Sequence, residues 1–152
     1  MYQKKSRRRG HRLALEWDSV SRRAKTLREH ILFICTANID RSRTAEDLYE
    51  ADERYEVRSA GTAPFATVPV TRDLMLWADR VFVMCEKEDR HQTLLKLRFP
   101  GVDRPVVDLN VEDRWRRGHP ELVARLLKKL KPHLGVPGKP GAGDNEEASA
   151  EG

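Results

Sequence analysis

The sequence predicts an α/β domain in which a parallel sheet is covered by helices on both faces. Three observations carry this. Short apolar runs alternate with longer segments of helical spacing from residue 31 to 134. Most of those runs are apolar throughout, as in strands buried on both faces. The length, 152 residues, suits one domain with a real core and not two.

The elements follow in order. "ILFIC" (31 to 35) reads as a buried strand and "TAEDLYEAD" places Ala45, Leu48 and Tyr49 at helical spacing. "YEVRSAG" (55 to 61) alternates as a strand and ends in a glycine turn. "VTRDLMLWA" (70 to 78) is helical with Thr71 as N-cap, and "RVFVMC" (80 to 85) is a second buried strand. "EKEDRHQTLLKLRF" (86 to 99) reads as one helix, "RPVVDL" (104 to 109) as a fourth strand, and "HPELVARLLKKLKPHL" (119 to 134) as a closing helix begun by Pro120. No internal repeat interrupts the alternation of strand and helix.

Three segments result: a basic N-terminal extension, 1 to 30; a folded domain, 31 to 134; and a Gly/Pro-rich, then acidic, disordered tail, 135 to 152. Within the extension, residues 13 to 29 have the spacing of a helix. The net charge of +5 is uneven: residues 1 to 30 hold ten Lys/Arg against three acids, net +7, which leaves −2 for the rest. The arm therefore supplies the basic character and suits weak, salt-dependent contact with a polyanion such as RNA, DNA or anionic lipid. The apolar runs are too short for a membrane span or a signal peptide. With two cysteines, Cys35 and Cys85, a disulfide framework is not expected and a reducing cytoplasm is the default. The five histidines show no ligand spacing, so neither a metal nor another cofactor is expected.

Chemistry is expected where the first strand ends. In an open parallel sheet, ligands bind beyond the carboxyl ends of the strands. Cys35 closes the first strand, and Arg41-Ser42 opens the first helix after the loop Thr36, Ala37, Asn38, Ile39, Asp40. Successive backbone N–H groups running into a helix N-terminus make an anion cradle, and that field favours a thiolate at Cys35. Arg41 adds a bidentate fork for phosphoryl oxygens, and the Ser42 hydroxyl is placed to bond the sulfur.

Cys35-x5-Arg41-Ser42 after an apolar strand, with Asn38 in the loop and Ala45-Glu46 in the helix, resembles the phosphate loop of low-molecular-weight protein tyrosine phosphatases. "RSAGTAP" (58 to 64), "ADRVFVM" (78 to 84) and "VVDL" (106 to 109) extend the resemblance over about 31 to 134, closest to the small bacterial branch. It implies a three-layer fold of the phosphotyrosine phosphatase I type, four parallel strands in the order 2-1-3-4. It also implies hydrolysis of phosphotyrosine or aryl phosphates through a phosphocysteine. Cys35 is then the nucleophile and Arg41 the clamp on the equatorial oxygens. Thr36, Ala37, Asn38, Ile39, Asp40 and Ser42 line the phosphate, and Asn38 and Ser59 brace the loop. A monomer or weak dimer acting on a phosphotyrosine protein is the expected form.

Counting back from Pro120 in "DLNVEDRWRRGHPEL", Asp113 takes the position of the family's general acid and Trp115 that of the aromatic lining the pocket. Glu112 is the alternative acid, and Asp108 is read as structural. Ile39 stands where phosphotyrosine-directed members carry an aliphatic residue and phosphoarginine-directed relatives carry threonine. Two positions depart from the family: Asp40, where many members have a cysteine or an apolar residue, and Arg43, where they have proline. A carboxylate facing a phosphate dianion is repulsive by roughly 1 to 4 kcal/mol, enough to cripple binding if Asp40 faces inward; turned outward, it could instead pair with Arg43.

Other readings remain open. Adjacent strand ends in this order bring Cys35 and Cys85 within reach of a regulatory disulfide, against the plainer reading of Cys85 as a buried strand residue. The same fold serves thiol-dependent arsenate reductases, but residues 86 to 100 hold no further cysteine for a relay, so that chemistry needs an external thiol. A non-catalytic phosphate-binding or nucleic-acid-binding protein with a basic arm is the third alternative.

Overall fold

The computed structural model describes residues 27–138. The basic arm and the acidic tail fall almost wholly outside these residues. Of the candidate helix over 13–29, Leu27 and Arg28 are non-helical and Glu29 opens a strand.

Four parallel strands lie in the order β2-β1-β3-β4, as the family resemblance implies. They are β1 (Glu29–Cys35), β2 (Tyr55–Gly61), β3 (Arg80–Val83) and β4 (Val106–Asp108). β1 is central: Ile31 pairs with Val57 on one side and Arg80 on the other. Cys35 pairs with Gly61. β1 begins two residues before the apolar run because Glu29 donates its N–H to the Arg54 carbonyl, and its carboxylate holds the Arg80 guanidinium.

The pleat divides the core in two. Ile31, Phe33 and Cys35 face one way, with Phe82 and Met84; α1 (Arg41–Tyr49) and α5 (Pro120–Leu134) cover that face. Leu32 and Ile34 face the other way, with Val81 and Val83, beneath α2 (Arg72–Trp77) and α4 (His91–Arg98). Leu122, Leu126, Leu130 and Leu134 recur every fourth residue of α5 and are fully buried. Each contributes roughly 1.5 to 3 kcal/mol of apolar burial. Pro120 starts α5, and Thr71 caps α2 by accepting the Leu74 N–H at 3.1 Å, both as expected.

One expected helix divides. Residues 86 to 99 form α3 (Glu86–Asp89) and α4, separated by Arg90 in the left-handed conformation at φ 54. The break ends one helix, with the Arg90 N–H on the Glu86 carbonyl, and turns His91 inward to full burial. It also aims Asp89 at the carboxyl end of the sheet. Past α5 the chain stays bonded to the domain, since Tyr49 and Arg54 donate to the carbonyls of Gly135 and Val136.

Candidate active site

The loop between β1 and α1 curls over the end of the first strand. Asn38 takes a left-handed conformation at φ 55, and its N–H points back to Cys35 Sγ at 3.3 Å. Such a conformation suits asparagine among non-glycine residues. Among the described residues, the N–H groups of Thr36, Ala37, Ile39 and Asp40 donate to no protein acceptor. The loop thus keeps free donors beside the sulfur.

A second strap supports the loop from below. Thr62, Ala63 and Thr67 donate backbone N–H groups to the carbonyls of Cys35, Thr36 and Ala37 at 2.9 to 3.0 Å. Gly61 lets the straps touch: a Cβ there would lie 2.3 Å from the Thr36 carbonyl oxygen and 2.7 Å from Ala66 Cβ.

Side chains then fix the polarity of the sulfur's surroundings. Asn38 Nδ2 donates to Ser42 Oγ at 2.8 Å and to Ser59 Oγ at 2.9 Å. Ser59 in turn donates to Glu46 Oε1 at 2.5 Å. A carboxylate only accepts, so Ser59 must accept from Asn38, and the amide is oriented with its NH2 toward both serines. Ser42 therefore accepts from Asn38 with its own proton uncommitted, and its Oγ stands 3.0 Å from Cys35 Sγ, placed to donate to a thiolate there. Two donors converge on the sulfur, the hydroxyl of Ser42 and the N–H of Asn38. Asn38 Oδ1 is left without a partner among the described residues.

Arg41 is 2 % exposed, yet its guanidinium reaches the cleft. Nη1 donates to Asp89 Oδ2 at 2.9 Å and to the Val111 carbonyl at 3.0 Å. Nε lies 3.8 Å from Asp113 Oδ1. Cys35, Thr36, Ala37, Ile39, Asp40, Arg41 and Asp113 together line a cleft of about 110 Å³. Asp113 is 63 % exposed, open to water at the mouth. Glu112 pairs instead with Arg114 at 3.5 Å. Asp108 Oδ1 accepts the N–H groups of Glu86 and Asn110, a bracing role at the strand end.

Trp115 is not among the residues lining the cleft. Its indole packs against the buried core between the guanidinium groups of Arg114 and Arg125, which lie 5.2 and 5.3 Å from the ring centroid. An exposed aromatic stands elsewhere: Phe65, 78 % exposed, on the strap that supports the loop after β1. Asp40 also departs from expectation. It forms no ion pair with Arg43 among the described residues, and its Oδ1 accepts the backbone N–H of Arg117 at 2.9 Å.

Cys85 does not join Cys35. Met84 lies on the Cys35 side of the sheet, so the pleat gives Cys85 the parity of Val81 and Val83 on the other. Both thiols are free and buried, and Cys85 Sγ is directed at Asn110 Oδ1, 3.8 Å away.

His91 and Asp89 were not singled out in the sequence. His91 Nδ1 accepts the Cys85 N–H at 3.1 Å, so the ring proton sits on Nε2 and is donated to Thr36 Oγ1 at 2.8 Å. Burial, helped by the charge of Arg41, pulls His91 down to about 4; Asp89, Asp108 and Glu86 oppose this without offsetting it. The ring is neutral near pH 7. The usable signal was positional, because both residues follow the strand beside β1 and so lie at the chemical end of the sheet. Among the described residues no cluster of His, Cys, Asp and Glu could hold a metal ion, and no helix is long and apolar enough to cross a membrane.

The fold is that of the low-molecular-weight tyrosine phosphatases, and a solved structure shares it. YwlE arginine phosphatase from Geobacillus stearothermophilus superposes with a TM-score of 0.50 at 23% identity, covering 68% of this chain and 94% of that one. Corynebacterium glutamicum thioredoxin-dependent arsenate reductase Cg_ArsC1' superposes less well, with a TM-score of 0.47 at 22% identity over 78% of this chain and 69% of that one. No family model matches the sequence, and no curated protein matches it significantly. At these identities the likeness speaks for the fold, and chemistry has to be argued from the site.

Proposed function

We propose that this chain is a cysteine-dependent phosphomonoester hydrolase acting on phosphotyrosine or a small aryl phosphate. The observation that carries the reading is the sulfur of Cys35, which receives two hydrogen-bond donors at the floor of a cleft walled by the buried Arg41. Donors aimed at sulfur hold the charge that gathers there when the S–P bond breaks and so lower the cost of sulfur as a leaving group.

The reaction has two displacements. The Cys35 thiolate attacks phosphorus as the aryl oxygen departs, with a proton from Asp113 converting the leaving phenolate to phenol. Water then attacks the phosphocysteine, Asp113 takes its proton, the S–P bond breaks and inorganic phosphate is released. The free loop N–H groups and Arg41 hold the equatorial oxygens through both steps, supplying positioning and electrostatic stabilisation. Ile39 on the cleft lining, 55 % exposed, offers apolar contact to an aromatic ring.

Hydrolysis of para-nitrophenyl phosphate by the wild type, with inhibition by vanadate, tests this. Cys35→Ser is expected to abolish turnover, and Asp113→Asn to lower it about 10²- to 10⁴-fold on poor leaving groups. A wild-type protein without vanadate-sensitive hydrolysis refutes the reading. Asp113→Asn with unchanged rates removes Asp113 alone.

A further inference from the structure

Asp40 occupies the N-cap position of α1, where an aspartate normally accepts an N–H of its own first turn. Here it makes no such bond. Its carboxylate instead crosses to the loop after β4 and accepts the Arg117 N–H at 2.9 Å, between residues 77 positions apart. The diversion has company. The Asp40 carbonyl accepts the Thr44 hydroxyl proton at 2.7 Å, and Thr44 Oγ1 accepts the Gly118 N–H at 3.0 Å. The Arg117 guanidinium grips both oxygens of Asp47 at 2.8 Å. The first turns of α1 thus hold consecutive backbone donors of residues 117 and 118.

At its other end the same loop is fixed by Val111, whose N–H meets the Met84 carbonyl at 2.6 Å and whose carbonyl accepts from Arg41. Asp113 lies between these clamps, and its side chain contacts Arg41 Nε at 3.8 Å. We propose that Asp40 is a positioning residue: it ties the loop carrying Asp113 to the phosphate loop and so sets where the general acid stands. This rests on the phosphatase reading above. It also gives a reason for a carboxylate on the rim of an anion site, where its charge alone repels the substrate.

The test separates the tether from the charge. Asp40→Ala removes both; Asp40→Asn removes the charge and keeps an oxygen for the Arg117 N–H. The value of kcat/KM reports the steps up to departure of the alcohol, and only a poor leaving group needs the acid. With phenyl phosphate, Asp40→Ala is expected to fall roughly 10- to 100-fold relative to Asp40→Asn, which restores most of the rate. With 2,4-dinitrophenyl phosphate the two variants should agree within about 3-fold. Hydrogen exchange provides an arm that needs no turnover: the Arg117 and Gly118 amides should lose protection in Asp40→Ala and keep it in Asp40→Asn.

Equal rates for Ala and Asn on the slow substrate, or a parallel loss on both substrates as a general folding defect gives, overturn the proposal while leaving the phosphatase reading intact. Unchanged exchange at residues 117 and 118 also overturns it. If the wild type hydrolyses neither ester, the phosphatase reading fails and the acid-positioning role fails with it.

Discussion

Residues 35–42 and residues 109–119 face each other across the Cys35 cleft, yet they are fastened by different means. The loop after β1 is locked by buried side chains: Asn38 bridges Ser42 and Ser59, His91 holds Thr36, and Arg41 donates to Asp89 and to the Val111 carbonyl. The opposite loop is held mainly through backbone groups near its ends, with Asp113 and Trp115 between them. The contrast fits the two tasks of the proposed reaction. Charge that develops on a phosphoryl group is stabilised best by dipoles that need no reorganisation. A general acid must meet leaving groups of varied shape and exchange its proton with water, so an exposed, end-clamped loop serves it.

The largest effect should come from the locked side. Arg41→Lys keeps a positive charge but loses the planar fork, and leaves Asp89 and the Val111 carbonyl short of a donor. A loss of about 10²- to 10³-fold in kcat/KM is expected, of similar size for fast and slow leaving groups. Preferential loss on slow ones would erase the distinction between the two walls.

His91 makes the lock sensitive to acid. Its folded pKa is depressed to about 4 from the ordinary 6.5. Between those values the unfolded chain binds more protons than the folded one, so stability falls as pH drops from about 6.5 toward 4. The full depression corresponds to on the order of 3 kcal/mol. Urea unfolding of the wild type and His91→Gln across this range measures it: the variant should be weaker at pH 7, having lost the bonds to Cys85 and Thr36, and should show a flatter decline. Parallel curves would mean that other groups carry the acid sensitivity.

Gly61 tests the backbone support. An added Cβ would lie 2.3 Å from the Thr36 carbonyl and 3.0 Å from the Asn38 nitrogen, both in the phosphate loop. Gly61→Ala should therefore cost about 1 to 3 kcal/mol and weaken vanadate binding. Normal vanadate affinity in a folded Gly61→Ala protein would show that the loop tolerates a displaced strap.

These differences also govern what was legible in the sequence. β1 and β3 could be read because uninterrupted apolar runs such as "ILFIC" and "VFV" have one good use in a sheet covered on both faces. The proposed nucleophile and clamp stand out as candidates in the sequence because Cys35 and Arg41 share one loop, six residues apart. The division at Arg90 could not, since a left-handed arginine leaves no compositional mark of the kind glycine leaves. His91 and Thr36 are 55 positions apart, and Asp40 and Arg117 are 77 apart. For Asp40 a neighbouring side chain, Arg43, is the partner that local spacing suggests. Its partner is a backbone N–H that the topology delivers and no residue type encodes. Trp115 illustrates the same limit, because position along the loop does not determine which way an indole turns.

The smallest effect separates the backbone clamp from the side chain beside it. Arg117 is exposed, and its pairing with Asp47, which raises its pKa, lies in high-dielectric surroundings where ion pairs stabilise little. Arg117→Ala removes that pair yet leaves the backbone N–H that Asp40 accepts. Thermal stability should be unchanged within measurement error, and the ratio of rates on phenyl and 2,4-dinitrophenyl phosphate should stay near the wild-type value. If Arg117→Ala lowers the slow-substrate rate as far as Asp40→Ala does, the guanidinium and Asp47 hold the acid loop. The carboxylate on the rim of the cleft would then need another reason to be there.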